Sequence, residues 1–425
     1  MNKYRVTYKS MFFLLTLLLT ANLSGQSNRK AKAILKNEVD SILRSKVDLD
    51  EIPGVVIEIK KGKKAIFKHA YGYGQKYDFN HTAITSGAKM TVRHIFDIAS
   101  LTKVVGTTTS VMLLSDRGSL GIEDPVYKYI TAFDTAGKRE ITIRHLLTHT
   151  AGLYEWYPLY YRASNKNDCY RLIGELPLKF PVGHERHYSD LGFVLLGEII
   201  EIVSGMSLDR FMKENIFQPL NMKNTTFNPL ITGDYKNIAA TSHGNPYEKR
   251  MVYDSTLGFR YDEIDPEHWD GWRTYTLRGE VNDGNTWYAN GGISGAAGLF
   301  STVADLQRLT GMLINGGKVG SQQFLSEKTI KEFLSKDIFS NGLGWMMDPA
   351  NSFMKDGPEG TFGHTGFTGT SIVAIPADKL SVIILINRQN TGLLANGEYY
   401  NVTPVRRQIF EAVLKYRTNL ANRNK

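Results

Sequence analysis

The sequence predicts an α/β protein of the α+β type. An antiparallel sheet is flanked by terminal helices, and an all-helical domain is inserted between its strands. Three observations lead to this prediction: strand-like runs near both ends of the chain, helical periodicity between them, and an amphipathic segment outside the strands at each end. Alternating apolar residues are typical of strands, whereas repeats of three and four residues are typical of helices.

The first predicted elements are a helix and a β-hairpin. Charged and apolar residues alternate over residues 30–46 with helical spacing, and Pro53-Gly54 ends that segment. Residues 55–59 and 65–69 are strand-like, and the polar turn between them joins them into a hairpin. At the other end of the chain we expect strands over residues 370–375 and 380–387, followed by a helix over residues 403–414.

Residues 96–299 are expected to form the helical domain, and residues 27–95 together with 300–425 the discontinuous sheet domain. Within the helical domain, residues 231–290 are polar, aromatic and poorly periodic, and they hold three of the five tryptophans. Because disordered segments are poor in aromatic residues, we interpret them as an ordered excursion over the surface. Just beyond, Thr302 and Asp305 predict a variant capping box for a helix that runs to residue 313.

Residues 1–26 are typical of a cleaved signal peptide. A basic start precedes a short apolar run, and small and polar residues follow it. The run is shorter than the roughly 20 apolar residues of a membrane span, although an uncleaved anchor is the alternative. We therefore expect an exported protein, periplasmic or secreted, without a stable membrane span after cleavage.

Composition excludes several classes of function. The formal charge is +9, but no basic stripe is interleaved with aromatic residues, so nucleic-acid binding is not expected. The single cysteine, Cys169, rules out an internal disulfide and a cysteine-cluster metal site. We interpret Cys169 as a packing residue.

A serine and a lysine three residues apart form the first candidate catalytic motif. On a helix, Ser100 and Lys103 lie on one face, where their side chains can meet. Serine needs a neighbouring group to take its proton, and a lysine can do so if burial lowers its pKa. The apolar residues that follow Lys103 suggest that burial. The competing interpretation is an N-capping serine beside a surface lysine.

Two further motifs supply polar groups. Tyr188-Ser189-Asp190 precedes a predicted helix, and its phenol could relay the proton of Ser100. Here the alternative is a buried tyrosine beside a helix cap. Residues 363–369 form the glycine-rich stretch GHTGFTG. In it a strand-edge amide could complete an oxyanion hole, while His364 and Thr365 could bind a carboxylate. A simple glycine-rich turn is the alternative there.

Taken in order, the three motifs resemble those of the serine β-lactamase and penicillin-binding-protein superfamily, and the chain from about residue 50 to 390 is similar to its class C branch. The resemblance implies a β-lactamase/transpeptidase-like fold. It also implies that Ser100 is acylated, that Lys103 is a base or electrostatic activator, and that Tyr188 is a proton shuttle. The Ser100 and Phe367 amides would form the oxyanion hole. Further substrate-binding positions are Asp190, His364, Thr365 and Gly366.

Two positions depart from the usual pattern. The second motif more often ends in Asn, where this chain has Asp190. The third more often begins with Lys, where this chain has His364. Both changes make the expected carboxylate site less positive, because a histidine is mostly neutral at pH 7. We therefore expect weak penicillin hydrolysis.

The expected activity is that of a D-Ala-D-Ala carboxypeptidase or β-lactamase-related enzyme on a small molecule or peptide, such as a peptidoglycan stem peptide. A carboxylesterase or D-aminopeptidase on the same fold is the first alternative, and a non-catalytic cell-wall-binding protein is the second. A metallohydrolase is disfavoured. The pairs His145/His149 and His184/His187 could each share a helix face, but no His-Glu-x-x-His motif is present. We expect neither a metal nor another cofactor.

Overall fold

The strands near the two ends of the chain meet in one antiparallel sheet, which confirms the predicted fold class. A computed structural model describes residues 29–348, 350 and 352–421, so the predicted signal peptide lies outside the described residues. The sheet has five strands in the order β2-β1-β10-β9-β8. These strands are β1 (Gly54–Lys61), β2 (Lys64–Gly72), β8 (Phe362–Thr365), β9 (Ser371–Ile375) and β10 (Leu380–Ile386).

The remaining strands are short. A three-stranded sheet pairs β5 with both β3 and β4, and a separate hairpin pairs β6 with β7. Their bounds are β3 (Phe96–Asp97), β4 (Thr226–Phe227), β5 (Leu299–Ser301), β6 (Lys318–Val319) and β7 (Gln322–Gln323). The strand β3 leads directly into the Ser100 motif, so this small sheet anchors the chain just before the candidate nucleophile.

The helices flank the large sheet and fill the region between its strands. They are α1 (29–48), α2 (Thr109–Asp116), α3 (Ile143–Leu147), α4 (Lys166–Glu175), α5 (Asp190–Ser204), α6 (Leu208–Met212), α7 (Pro229–Thr232), α8 (Pro246–Tyr253), α9 (Val303–Ile314), α10 (Glu327–Phe333) and α11 (Thr403–Ala421). Wider π-helical turns run over Lys103–Thr108, Lys213–Phe217 and Asn285–Ala289.

Strands β1, β9 and β10 are buried on both faces, which explains their nearly continuous apolar sequences, whereas the edge strand β2 is partly exposed. In β1, Val55 and Ile57 face a core shared with α1 and α11, whereas Val56 faces the larger core on the helical side. On that side, the Gln307 amide of α9 donates to the Glu58 carbonyl and accepts from Ser381. The sheet is thus held between the terminal helices and the rest of the chain.

The capping box predicted at α9 is only half correct. The Thr302 side chain accepts a hydrogen bond from the Asp305 amide, as an N-cap should. The Asp305 carboxylate, however, accepts from the Asn224 amide at 2.6 Å instead of returning to Thr302. A buried carboxylate takes the donor that tertiary packing brings nearest, and that donor belongs to a distant loop.

The division of the chain into a sheet domain and a helical domain, with boundaries at residues 95/96 and 299/300, stays a proposal. It separates the large sheet and its terminal helices from most of the remaining helices, although α9, on the sheet side of the boundary, contributes to the larger core. In the described part of the chain, no single helix has the length and apolar character to cross a membrane. One sharply bent pair, Asp190–Ser204 with Leu208–Phe217, matches on length and composition alone.

Candidate active site

A strained turn presents Ser100 at the start of a buried helix. Ala99 has a φ of 46°, which is unusual for a residue with a side chain. The Asp97 carboxylate at the end of β3 accepts from the Ala99 amide at 2.8 Å and so holds the turn. The next amides close helical turns, with Lys103 N donating to the Ser100 carbonyl at 3.0 Å. The turn leaves Ser100 on the wall of a cavity.

Lys103 is buried, and its ammonium lies close to three oxygen atoms. It lies 3.0 Å from Ser100 Oγ, 2.9 Å from the Ala296 carbonyl and 2.7 Å from Asp190 Oδ1. Only 1% of the residue is exposed. The spacing of Ser100 and Lys103 therefore does bring the two side chains together, and the surface-lysine interpretation is wrong.

The hypothesis that burial lowers the pKa of Lys103 is also wrong. Burial by itself would lower that pKa, but the Asp190 carboxylate and the Tyr188 hydroxyl outweigh it and raise the pKa above its ordinary value. The physical reason is the close ion pair, because an opposite charge at hydrogen-bond distance favours the charged form. In the free protein, Lys103 is an ammonium.

The side chains of the second motif have different roles: Ser189 caps a helix, whereas Tyr188 and Asp190 line the cavity. Ser189 is the N-cap of α5: its hydroxyl accepts from the Gly192 amide and donates to the Tyr154 carbonyl. Capping by Ser189 leaves the neighbouring Tyr188 and Asp190 free to line the cavity with Ser100. Burial raises the pKa of Tyr188, and Lys103 offsets part of that rise, so the phenol is neutral at pH 7.

The histidine pairs do not form a metal site. Helix α3 ends at Leu147, before His149, and His184 and His187 lie in a turn and an extended segment, so neither pair shares a helix face. His149 Nδ1 instead accepts from the Ser189 amide at 3.0 Å, and its ring packs 4.4 Å from that of Tyr188. Among the described residues, no group of three or more His, Cys, Asp or Glu side chains could hold a metal ion.

The third motif lies on the edge strand β8 and the turn after it. The Thr368 hydroxyl donates to the Asp97 carbonyl at 2.7 Å, and the Thr370 hydroxyl donates to the Ile98 carbonyl at 3.1 Å. A Cβ on Gly366 would collide with the Ile98 carbonyl and with Thr370 Oγ1. Glycine therefore allows the turn to press against the Ser100 loop, and Phe367 emerges on the cavity wall.

His364 is buried and does not line the cavity. Its Nδ1 is 2.8 Å from the Thr365 carbonyl, so we assign the ring proton to Nδ1. Burial, followed by the nearby Lys103 charge, lowers the pKa of His364 to about 3. The ring is therefore neutral at physiological pH and cannot supply the fixed positive charge that a lysine would. Thr365 and Gly366 also lie outside the cavity lining.

The cavity has a volume of about 290 Å³, and much of its lining comes from residues that the motifs did not indicate. Besides Ser100, Lys103, Tyr188, Asp190 and Phe367, the lining includes Trp156, Asn245, Tyr247, Glu248, Met251, Phe259, Asn282, Asp283, Gln389 and Tyr399. Seven of these ten belong to the excursion over residues 231–290. Its unusual aromatic content was the available signal, but that content did not say which face of the excursion meets the cleft.

Aromatic stacking holds the excursion in place. The Trp269 ring lies 4.7 Å from Tyr160, 4.7 Å from Trp272 and 4.6 Å from Tyr288. Such edge and tilted contacts stabilise a segment beyond the area that they bury. The excursion is therefore ordered, as its composition predicted, and it also forms one wall of the cavity, which its composition did not predict.

The fold and the site together define a serine hydrolase of the β-lactamase and penicillin-binding-protein type. The chain belongs to the Beta-lactamase family, whose sequence model matches residues 39–404. A relative from Escherichia coli O157:H7, named "Putative D-alanyl-D-alanine carboxypeptidase", is 33% identical over 380 residues, which cover 84% of this chain and 82% of the relative.

Solved structures show the same fold at lower identity. "EstCE1, a hydrolase with promiscuous acyltransferase activity" has a TM-score of 0.66 at 22% identity, with coverage of 90% of this chain and 99% of that one. The octameric penicillin-binding protein homologue from Pyrococcus abyssi has a TM-score of 0.64 at 22% identity, with coverage of 89% and 77%.

Proposed function

We propose that this protein is an exported serine hydrolase that forms an acyl-enzyme on Ser100, with cell-wall peptides ending in D-Ala-D-Ala as its substrate class. The observation that carries the proposal is the contact of Lys103 Nζ with Ser100 Oγ at 3.0 Å, on the wall of a cavity that also contains Tyr188. The similarity to a carboxypeptidase-named relative supports the choice of substrate class.

Lys103 and Tyr188 take the proton roles. Because Lys103 is protonated in the free protein, it has to release a proton before it can accept one, and the acceptor in contact is Asp190, 2.7 Å away. Lys103 then takes the proton of Ser100 as Oγ attacks the carbonyl carbon. The neutral phenol of Tyr188 donates a proton to the leaving nitrogen or oxygen, and Lys103 restores it.

The amides of Ser100 and Phe367 form the oxyanion hole in this proposal. Two hydroxyl contacts, from Thr368 to Asp97 and from Thr370 to Ile98, fix the two loops relative to each other. Donors that are held in place before the reaction stabilise the developing negative charge without reorganising.

A carboxylesterase or D-aminopeptidase is the second candidate function, because the cavity lacks the usual carboxylate-binding charge. His364 is neutral and buried, and Lys103 is already paired with Asp190. In that case the role of His364, Thr365 and Gly366 is to shape the loop, and they do not bind a carboxylate of the substrate. On this basis penicillins are expected to be poor substrates.

The test is labelling of the mature protein with a fluorescent penicillin, read by intact mass, beside Ser100→Ala and the exposed-serine control Ser164→Ala. An adduct that only Ser100→Ala loses, with release of D-alanine from a stem pentapeptide, is the expected result. Ser100-dependent cleavage of a small aryl ester without an adduct would favour the esterase. If no assay shows a reaction that depends on Ser100, the proposed hydrolase is rejected in favour of a non-catalytic cell-wall-binding protein. The same mass measurement on exported protein tests cleavage after residue 26.

A further inference from the structure

The charged side chains that line the cavity are predominantly acidic. Lys103 is the one cation among the described lining residues, and Asp190 is paired with it at 2.7 Å. Three other acids also line the cavity: Glu248, Asp283, and Glu155, which is paired with Lys179 at 3.3 Å. A concave wall with this balance attracts cations and repels anions.

Two of the lining carboxyl groups, and the buried Asp97 close to them, lack a cationic partner in an ion pair among the described residues. Asp97, Glu248 and Asp283 form no ion pair with any residue that the structure describes. Arg273 is a buried cation whose charge favours the ionised forms of Asp97 and Glu248. Its guanidinium lies 3.6 Å from Glu280 and donates to the Asn245 side chain and to the Asn282 carbonyl.

The pKa values of the buried carboxyl groups are raised, which shows that their ionised forms are disfavoured in this arrangement. Burial, with repulsion from Asp283, raises the pKa of Glu248 to about 8. Burial also raises the pKa of Asp97 to about 6, and burial with repulsion from Asp190 raises that of Asp283. A positive charge placed in the cavity would lower all three pKa values, because it favours the ionised forms.

Asp283 is the acid best placed to meet such a charge. Its Oδ1 accepts from the Thr286 amide at 2.7 Å, and its carbonyl accepts from the Trp287 amide at 3.0 Å. These bonds fix the carboxylate at the start of the π-helical turn Asn285–Ala289. Asp283 lines the same cavity as Ser100, Lys103 and Asp190.

Aromatic rings complete the surroundings. Trp156, Tyr247, Phe259, Phe367 and Tyr399 line the same cavity, and the Tyr247 ring lies 5.3 Å from that of Phe367. A carboxylate beside aromatic faces is a favourable site for an organic cation, because the negative faces of the rings add to the attraction.

Gln389 independently indicates a polar ligand. It lines the cavity and is 1% exposed, yet neither Oε1 nor Nε2 has a hydrogen-bond partner among the described residues. A buried amide without partners is costly, and a substrate that carries a polar group into the cavity would supply one.

We propose that the cavity selects substrates whose acyl group ends in a cationic, ammonium-type group, with Asp283 as the residue that determines this specificity. The inference rests on the proposed function of the protein as a Ser100 hydrolase, and it adds the charge of the substrate's acyl group. The arriving cation contacts the Asp283 carboxylate and the aromatic wall, while the carbonyl lies at Ser100. An acyl group that ends in a carboxylate is rejected by the same charges.

The test compares three p-nitrophenyl esters that differ in charge at the end of the acyl chain. They are the 4-(trimethylammonio)butyrate, its neutral isostere 5,5-dimethylhexanoate, and the monoester of adipic acid. Each kcat/KM is divided by the rate of hydroxide-catalysed hydrolysis of the same ester, which removes differences in intrinsic reactivity. We expect the wild-type protein to prefer the cationic over the neutral ester by about tenfold and to use the anionic ester least.

The Asp283→Asn variant is expected to lose most of that preference, measured as the ratio of the cationic to the neutral ester. The control Asp262→Asn removes an exposed acid from the same excursion and should keep the wild-type ratio. A wild-type ratio near one, or an undiminished ratio in folded Asp283→Asn, would overturn the inference while leaving the hydrolase intact. If Asp283→Asn does not fold, the wild-type ratio decides. If the wild-type protein hydrolyses none of the esters, both the proposed function and this inference are rejected.

Discussion

Lys103 Nζ lies 2.7 Å from Asp190 Oδ1, inside the cavity that contains Ser100. This ion pair decides the charge of the group that contacts Ser100, the proposed nucleophile. Burial alone would lower the pKa of Lys103 and favour its basic form, but the carboxylate reverses that direction. The chemistry of this site therefore depends on Asp190 as much as on Lys103.

Replacement of Asp190 by asparagine should shift the pH dependence of the enzyme. Without the carboxylate, burial dominates and the pKa of Lys103 falls, so its basic form is populated at lower pH. The acidic limb of kcat/KM for an aryl ester should move down by about one to three pH units. The matched control is Glu155→Gln, since Glu155 lines the cavity but pairs with Lys179. An unmoved acidic limb in Asp190→Asn would contradict the assignment of Lys103 as the base.

A methyl group on Gly366 should damage the oxyanion hole. The added Cβ would collide with the Ile98 carbonyl and Thr370 Oγ1, so the Phe367 amide must shift relative to Ser100. We expect Gly366→Ala to lower kcat/KM about 100-fold, the typical effect of losing one oxyanion donor. Gly311→Ala in α9 is the control, because its Cβ would meet no atom within 4 Å. Wild-type kinetics in Gly366→Ala would show that the turn is not held against the Ser100 loop.

Glu248 should make the fold less stable as the pH rises. Burial raises its pKa to about 8 from an ordinary value of 4.5, so between these values the folded state binds more protons than the unfolded state. The free energy of unfolding therefore falls between about pH 4.5 and 8. Urea unfolding of Glu248→Gln at pH 5 and pH 8 should show a smaller fall, by on the order of 2 kcal/mol.

The exposed-residue control for this measurement is Glu140→Gln, which should keep the wild-type dependence. An identical pH dependence in Glu248→Gln and the wild-type protein would mean that Glu248 ionises freely in the folded state. That result would also weaken the case for an excess of buried negative charge beside the cavity.

His364 should have the opposite effect on stability. Its pKa is lowered to about 3 from 6.5, so between these values the folded state binds fewer protons than the unfolded state. The free energy of unfolding contributed by this group therefore rises with pH across that window and is lost on acidification. His364→Asn should flatten the rise measured by urea unfolding between pH 4 and 6.5, whereas the exposed His184→Asn should not.

Nuclear magnetic resonance of the histidine ring protons gives an independent measurement. The His364 signal should not titrate between pH 5 and 8, because burial lowers the pKa of the ring to about 3. A titration of His364 near pH 6.5 would show that the ring is solvated, and the carboxylate-binding role first expected for it would become available again.

The architecture could be predicted from the sequence because its signals are local. The strand-like runs of β1 and β2, the glycine at the end of α5 and the spacing of Ser100 and Lys103 all express the geometry of one strand or one helix. Departures arose where a side chain had a choice of distant partners. Asp305 turned from Thr302 to Asn224, and His149 fell beyond the end of α3 and bonded to Ser189.

The sequence by itself determined the fold class, the three motifs and their order, since each depends on residues that are close in the chain. Only the tertiary structure decided the electrostatics of the cavity. Asp190 meets Lys103 across 87 positions, and residues 245–283 bring Glu248 and Asp283 to the wall beside Ser100. The pKa of a buried group depends on the charges that packing places around it, and no local pattern encodes those distances.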